Sequence, residues 1–544
     1  MKNNISEKLS FIIISSGIFL IPLFFLPFTP EDPFLVPKMV LLSVTALFAL
    51  IAGFYPAGRL LEEKKDLLLA SVVFLACMAV SIPGSTNYHE GLYELKRWAL
   101  LFVLFIVSAS INWTQKRLLM LVKVGMAAGL IVSLYAILEY FEILHFYLYP
   151  FQKRRLFSFF GHHNILAQYL TFAVLWGTAF TAAGETTRSR ILGFAYVLVS
   201  GAALLLTFSR ASIISTIFGL GILFFYLSGS KVKKHGCPGK SKYLFSAILI
   251  AFSALLLLIV ITTKGEKVKG QALDMIERAD SYRFTIWKDT AQIISKNPLR
   301  GVGLGNYPLV YPRYKTGPFD FLNLYAYNEP LHITAETGII GLSGLVIFIS
   351  MVLRHLKKNP VSQSNETKPL IAGIIAGLAA TLLESMLSYN LHDATSSYFF
   401  FVSLGIICSW RAGLSAACLP VGRDRAGGET THFHKRSVLN ASALVIAVFI
   451  ALWGIYGEYR KIMGHYCYSQ ALVFNLSNDT KKVFEYTQKS VIYQPHNPKY
   501  HYLAAALYLQ HGQKESAERH FQKARELSPY VYGRSTKLLS RQQR

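Results

Sequence analysis

The chain predicts an all-α, polytopic helical membrane protein, and three observations carry that prediction. Hydrophobic residues make up 53% of the 544 positions and charged residues only 16%, where a soluble globular domain carries about 25% charged residues. The apolar residues come in blocks of about 17–22, the length at which a helix crosses a hydrocarbon core of roughly 30 Å. The blocks are continuous and not alternating, which argues against an outer-membrane barrel. In lipid each backbone N–H and C=O must be paired within its own segment, so blocks of this length become helices.

Thirteen candidate helices follow along the chain, centred near residues 18, 46, 75, 105, 128, 175, 199, 219, 252, 346, 379, 403 and 447. The first, Leu9 to Pro27, leads into Phe28-Thr29-Pro30-Glu31-Asp32 with no small-residue cleavage site, and reads as a retained span. With the amino terminus inside, one set of loops carries Arg59/Lys64/Lys65, Lys116/Arg117, Arg188/Arg190 and the Lys231–Lys242 cluster. Arg354/Lys357/Lys358 and Arg423/Arg425/Lys435/Arg436 continue that set, the bias expected of cytoplasmic loops. The net charge of +25 therefore reads as loops facing anionic lipid, and not as a nucleic-acid surface. This sidedness places the longest loop, about residues 263–330, and the C-terminal tail outside the cytoplasm. Five scattered cysteines (Cys77, Cys237, Cys408, Cys418, Cys467) form no CxxC and no disulfide framework.

Four regions result: N-terminal transmembrane helices (1–150), a membrane core with the external loop 263–330 (151–410), a cytoplasmic loop with the last span (411–457), and a charged helical tail (458–544). In the tail, Tyr508, Gly512, Ala517, Phe521, Ala524 and Pro529 fall at tetratricopeptide spacing. Pro495, thirty-four residues before Pro529, closes a weaker copy with Phe474 and Ser490. A generic helical hairpin is the alternative, and either form reads as a docking surface and not as a catalytic unit.

Polar groups against or within a membrane are costly and are where chemistry is sought first. On the inferred outer side stand four groups: Arg154-Arg155 with Gly161-His162-His163-Asn164; Ser209-Arg210 in a tight hairpin; Arg283 followed by the glycine-rich run 297–306; and Tyr327-Asn328-Glu329-Pro330-Leu331-His332 continuing to Glu336-Thr337-Gly338. Plain structural readings compete with each. Arg154 and Arg155 suit headgroup anchoring. His162 and His163 are adjacent, a poor metal pair without further ligands. Gly301, Gly303 and Gly305 lack the GxGxxG pattern and suit turns. Arg210 resists dismissal, since a lone charge between apolar blocks costs up to about 2.5–3.5 kcal/mol on insertion scales.

The ordered set Arg155, Gly161, Asn164, Thr207-Phe208-Ser209-Arg210, Arg283 with Trp287, the run 297–306, Asn328 and Glu336-Thr337-Gly338 resembles the O-antigen ligase and polymerase family over about residues 150–410. A tetratricopeptide tail is similar to a recurrent addition in that family. The resemblance implies a multi-pass enzyme of the bacterial inner membrane that takes a glycan from undecaprenyl pyrophosphate, at the outer face, and joins it to lipid A core, glycan or protein. Arginine suits that donor because its planar, permanently charged fork binds phosphate. Arg155, Arg210 and Arg283 are the pyrophosphate candidates, and Asn164, Asn328 and Glu336 complete the implied site. No Asp-x-Asp occurs, and neither a metal nor a cofactor is implied. The family commonly places a histidine before the asparagine matching Asn328, as base; here Tyr327 stands there, with a reference pKa of about 10. His332 and Glu329 are the nearby substitutes, His332 projecting about 140° from Tyr327 on a helix. Other readings are a repeat-unit polymerase on the same fold, a transporter, or an assembly scaffold whose tail recruits a protein partner.

Overall fold

The computed structural model describes residues 2–26, 33–63, 65–144, 156–228, 282–316, 325–358, 367–409, 430–477 and 479–532. The chain is all-helical there: α1 (Lys2–Leu23), α2 (Leu35–Glu63), α3 (Lys65–Ala79), α4 (Tyr88–Ser110), α5 (Gln115–Tyr140), α6 (His163–Ala183), α7 (Thr187–Leu206) and α8 (Arg210–Ser228). After them come α9 (282–296), α10 (Glu329–Lys358), α11 (Lys368–Ser385), α12 (Ala394–Ser409) and α13 (Thr430–Leu476). The tail adds α14 (Thr480–Tyr493), α15 (Pro498–Gln510) and α16 (Lys514–Leu527). Among the described residues, eight helices are long and apolar enough to cross a membrane. The span expected near residue 252 lies outside the described residues.

Packing explains which helices are central. α12 is buried along nearly its whole length, and aromatic rings from α3, α4, α10 and α12 meet beside it. Phe102 stands edge-on to Phe348 at 5.1 Å and to Phe401 at 5.2 Å, pairs worth about 0.5–1.5 kcal/mol each beyond their burial. Conversely Ile339, Val346 and Leu353, seven residues apart on α10, are exposed. An apolar stripe at that spacing lies along one helix face and suits a lipid contact. Lys38 is buried because its ammonium donates to the carbonyls of Ile21, Pro22 and Phe24 at 3.1, 3.0 and 2.8 Å, capping the end of α1.

One interruption organises the rest. α10 breaks at Gly338, which has φ 64° and ψ −164°, and the glycine-rich run 297–306 fills the gap. Val302 and Gly303 donate their N–H groups to the carbonyls of Ala335 and Glu336, both at 2.9 Å. Beyond the break, Ile339 and Ile340 donate to the carbonyls of Pro298 and Leu299 at 2.8 and 3.3 Å. The two motifs that stood apart in the sequence therefore form one unit. The loop continues to α4: Asn306 exchanges hydrogen bonds with the Asn87 backbone at 2.7 and 3.1 Å, and Asn87 caps α4 by accepting from His89 N–H.

The tail joins this same end of the bundle. α13 runs 47 residues without a break, about 70 Å at 1.5 Å per residue, so it passes the compositional change at residue 458 as continuous helix. It packs along α2 and ties to α4 through a buried Lys96–Glu458 ion pair of 2.7 Å. At the far end of the tail, Arg313 donates to the Tyr530 hydroxyl at 3.0 Å. α15 and α16 pack through Ala504, Ala505, Tyr508, Ala517 and Phe521, the small and large residues expected for that hairpin.

A Cβ at Gly338 would lie 2.2 Å from the Leu299 carbonyl oxygen, and one at Gly301 (φ 65°) 2.3 Å from the Glu336 carbonyl carbon. Gly301→Ala and Gly338→Ala should each cost at least about 1–3 kcal/mol, the price of left-handed strain alone, and lower the thermal midpoint in detergent. Gly221→Ala, in α8 with nothing within 4 Å of the added Cβ, should not. Unchanged midpoints for both loop variants would contradict the role given to the break.

Candidate functional site

Two groups of polar side chains meet at the end of the bundle that holds the glycine-rich loop. The first lines a cavity of about 210 Å³ between α2, α4, α10, the loop and α13. α4 supplies Glu90, Tyr93, Glu94 and Arg97 to it, α10 supplies His332 and Glu336, and Tyr325, His392 and Lys461 complete the polar lining.

Backbone geometry fixes several of these groups. Glu336 sits two residues before the break at Gly338, where its carboxylate accepts from Gly305 N–H at 2.9 Å and Tyr307 N–H at 3.1 Å. His332, one turn earlier, accepts at Nδ1 from Ala326 N–H at 3.4 Å, leaving Nε2 facing Glu336 Oε1 at 3.5 Å. With the Nδ1 lone pair engaged, a neutral ring carries its hydrogen on Nε2. Of this pair, the group able to take a proton from the cavity is then the Glu336 carboxylate. Arg97 pairs with Glu94 through Nε at 2.8 Å and also through Nη2, and donates to the Leu391 carbonyl at 2.6 Å.

Glu329 acts as a clamp. It is buried, accepts from Leu391 N–H at 2.8 Å, and holds its two carboxylate oxygens 3.0 and 3.2 Å from His392 Nδ1. Burial works against a charged His392, but Glu329, with help from Glu94, outweighs it and raises the imidazole above the usual histidine range.

The second group surrounds Glu384, near the end of α11. Ser212, on the first turn of α8, donates to its carboxylate, and Arg210 opens that same turn. Arg283, at the start of α9, lies close enough to act electrostatically on Glu384 and Tyr389. Its guanidinium stands 6.0 Å from the centre of the Tyr327 ring. Tyr327 has φ 53°, a strained value for a residue with a side chain. Burial pushes its hydroxyl above the usual tyrosine range, with Arg283 opposing, so the phenolate needed to act as a base is scarcer at neutral pH than for a free tyrosine. Asn328 is committed to structure: its amide accepts from Leu331 N–H at 2.9 Å and donates to the Met386 carbonyl at 3.0 Å.

A tyrosine wall separates the groups. Tyr325 stacks on Tyr389 at 4.5 Å, Tyr389 meets Tyr327 at 5.3 Å, and Tyr325 lies 4.9 Å from the His392 ring. Of the residues singled out in the sequence, His332, Glu329 and Glu336 gather about the cavity, while Arg283, Tyr327 and Asn328 lie on the side of Glu384, and Arg210 opens the turn that carries Ser212. Asn164 starts α6, where its N–H donates to His162 Nδ1 at 3.2 Å. Arg155 lies outside the described residues.

Sequence reasoning missed Arg97, Glu94, His392 and Lys461. Two signals were available. Glu90, Glu94 and Arg97 recur at one-turn spacing along one face of a helix that continues as an apolar block, and Asn390-Leu391-His392-Asp393 is a polar knot between two apolar blocks. Lys461 gave none.

Among the described residues, eight helices apolar enough to cross a membrane define a multi-pass membrane protein, with a pocket of mixed charge at one end of its bundle. Residues 195–346 match the family model described as O-antigen ligase, which supports glycan transfer of the ligase or polymerase type. No curated protein matches the chain. The matched segment contains Arg210, Arg283, Glu336 and the break at Gly338, whereas Arg97, His392 and Lys461 lie beyond it.

A raised imidazole stabilises the fold fully below its unfolded value of about 6.5 and loses that contribution as pH rises through the folded value. The thermal midpoint in detergent should therefore fall between about pH 6 and 8. His392→Gln should flatten this decline; an unchanged slope in that variant would remove His392 from the account.

Proposed function

We propose that the protein is a lipid-linked glycan ligase. It transfers an oligo- or polysaccharide from undecaprenyl pyrophosphate to an acceptor hydroxyl at the outer face of the bacterial inner membrane, without a metal. The observation that carries this reading is Arg283 acting on the buried Glu384 carboxylate, which Ser212 of the turn opened by Arg210 also reaches, a tyrosine wall away from a cavity holding Glu336 and His332. The family match supports the transfer chemistry in general.

In this mechanism Arg210 and Arg283 hold the donor pyrophosphate, with Arg155 as a further candidate. Their fixed charge stabilises the negative charge that grows as the bond from the anomeric carbon to the phosphate oxygen breaks. Glu336, aligned by two backbone N–H groups, accepts the proton of the acceptor hydroxyl as its oxygen bonds the anomeric carbon. His332 orients Glu336, and Glu329 fixes His392 on the opposite wall. Lipid A core and protein are the acceptor classes, and the C-terminal helices read as a tetratricopeptide-like surface for a protein partner.

In vitro transfer from a labelled undecaprenyl-pyrophosphate glycan tests this, with lipid A core, free glycan and peptide offered as acceptors. Arg210→Ala, Arg283→Ala and Glu336→Gln should each lower kcat by about 10²–10³, the usual cost of removing one such group. Tyr327→Phe should retain most activity. No transfer by the wild type to any acceptor would overturn the reading; transfer to free glycan alone would make the protein a polymerase.

A further inference from the structure

The cavity beside Glu336 is built partly by the tail, and its lining has a recognisable chemistry. At about 210 Å³ it falls below the roughly 300 Å³ at which pockets for drug-sized ligands begin. It therefore suits a single ring-sized group, and neither an oligosaccharide nor a lipid chain. Its charged groups alternate in role. Glu90 and Glu336 offer acceptors, and Glu94 and Arg97 already satisfy each other. Lys461 faces the cavity over the Tyr93 ring, and among the described residues its ammonium makes neither a hydrogen bond nor an ion pair.

An anion is poorly suited to a pocket with this many carboxylates. Carboxylate acceptors and a three-proton donor held only against an aromatic ring are what a ring of hydroxyls requires, each hydroxyl both donating and accepting. We propose that this cavity is a subsite for one uncharged sugar ring of the acceptor, and that Lys461, carried in by α13, is its specificity-determining donor. The inference rests on the glycan-transfer reading of the adjoining site. It also gives α13 a role beyond docking. The buried Lys96–Glu458 pair, one turn before Lys461, holds the helix in register with α4.

The test uses the full chain in detergent. Saturation-transfer NMR with methyl glucoside should report binding to the wild type, weaker binding to Lys461→Met, and none to Val36→Phe, which fills the cavity from α2. In the transfer assay Lys461→Met should raise the acceptor KM about tenfold, the loss of one charge-assisted hydrogen bond, with kcat and donor KM unchanged. Absence of methyl glucoside binding to the wild type, or equal binding to Val36→Phe, overturns the subsite. Tighter binding of methyl glucuronide than of methyl glucoside overturns its neutral character, and a raised donor KM overturns its assignment to the acceptor. Glucoside binding by a wild type that transfers nothing would sink the ligase reading while leaving the subsite standing.

Discussion

The constraint on which the site depends is that a broken membrane helix must find new partners for its backbone. Breaking α10 at Gly338 frees the carbonyls of Ala335 and Glu336 on one side and the N–H groups of Ile339 and Ile340 on the other. Left unpaired in a water-poor environment, such groups cost several kcal/mol each. Residues 297–306 supply partners on both sides, and only a glycine at 301 lets the backbones approach that closely. The same loop then aims the Glu336 carboxylate through Gly305 and Tyr307, and ties itself to α4 through Asn306. A repair of backbone hydrogen bonding thus doubles as the frame of the cavity.

That frame also accounts for how charges survive beside apolar spans. Three charged groups in the first cavity are anchored by something already fixed: Arg97 by Glu94 and a carbonyl, Glu336 by two N–H groups, His392 by Glu329. Preorganised groups of this kind need not move when charge develops nearby, which is why they are worth more inside a protein than in water. The arginine at the start of α9 stands apart from this network, beside Glu384.

Much of the architecture was legible in the sequence because the bilayer enforces one rule. Length and continuity of apolar runs located the helices, and the ordered polar motifs located the end of the bundle that matters. What could not be read was pairing across the chain. Nothing in the run 297–306 says that its turns complete a helix forty residues later, so its glycines read as ordinary loop turns. Tyr327 was weighed as if on the helix with His332, but its left-handed backbone puts it before the helix begins and turns it toward Arg283. Arg97 and Glu94 were visible but sat in the polar first turns of an apolar block, and their inward direction depends on α12 and the link at 390–392.

Lys461 marks the limit of such reading and the most consequential feature of the fold. Composition divides the chain near residue 458, where apolar residues give way to charged ones, and a division of composition suggests a division of labour. The backbone makes no such division. α13 continues through it, so the position of its lysine over Tyr93 is set by the preceding turns of the same helix and by the Lys96–Glu458 pair. A buried pair of this sort contributes little net stability, yet removing one partner is costly because it strands the other. Its value is therefore in register: it holds the helix where Lys461 meets the cavity. α14 packs on α13, so a displacement of α14 would act on the same helix that carries Lys461.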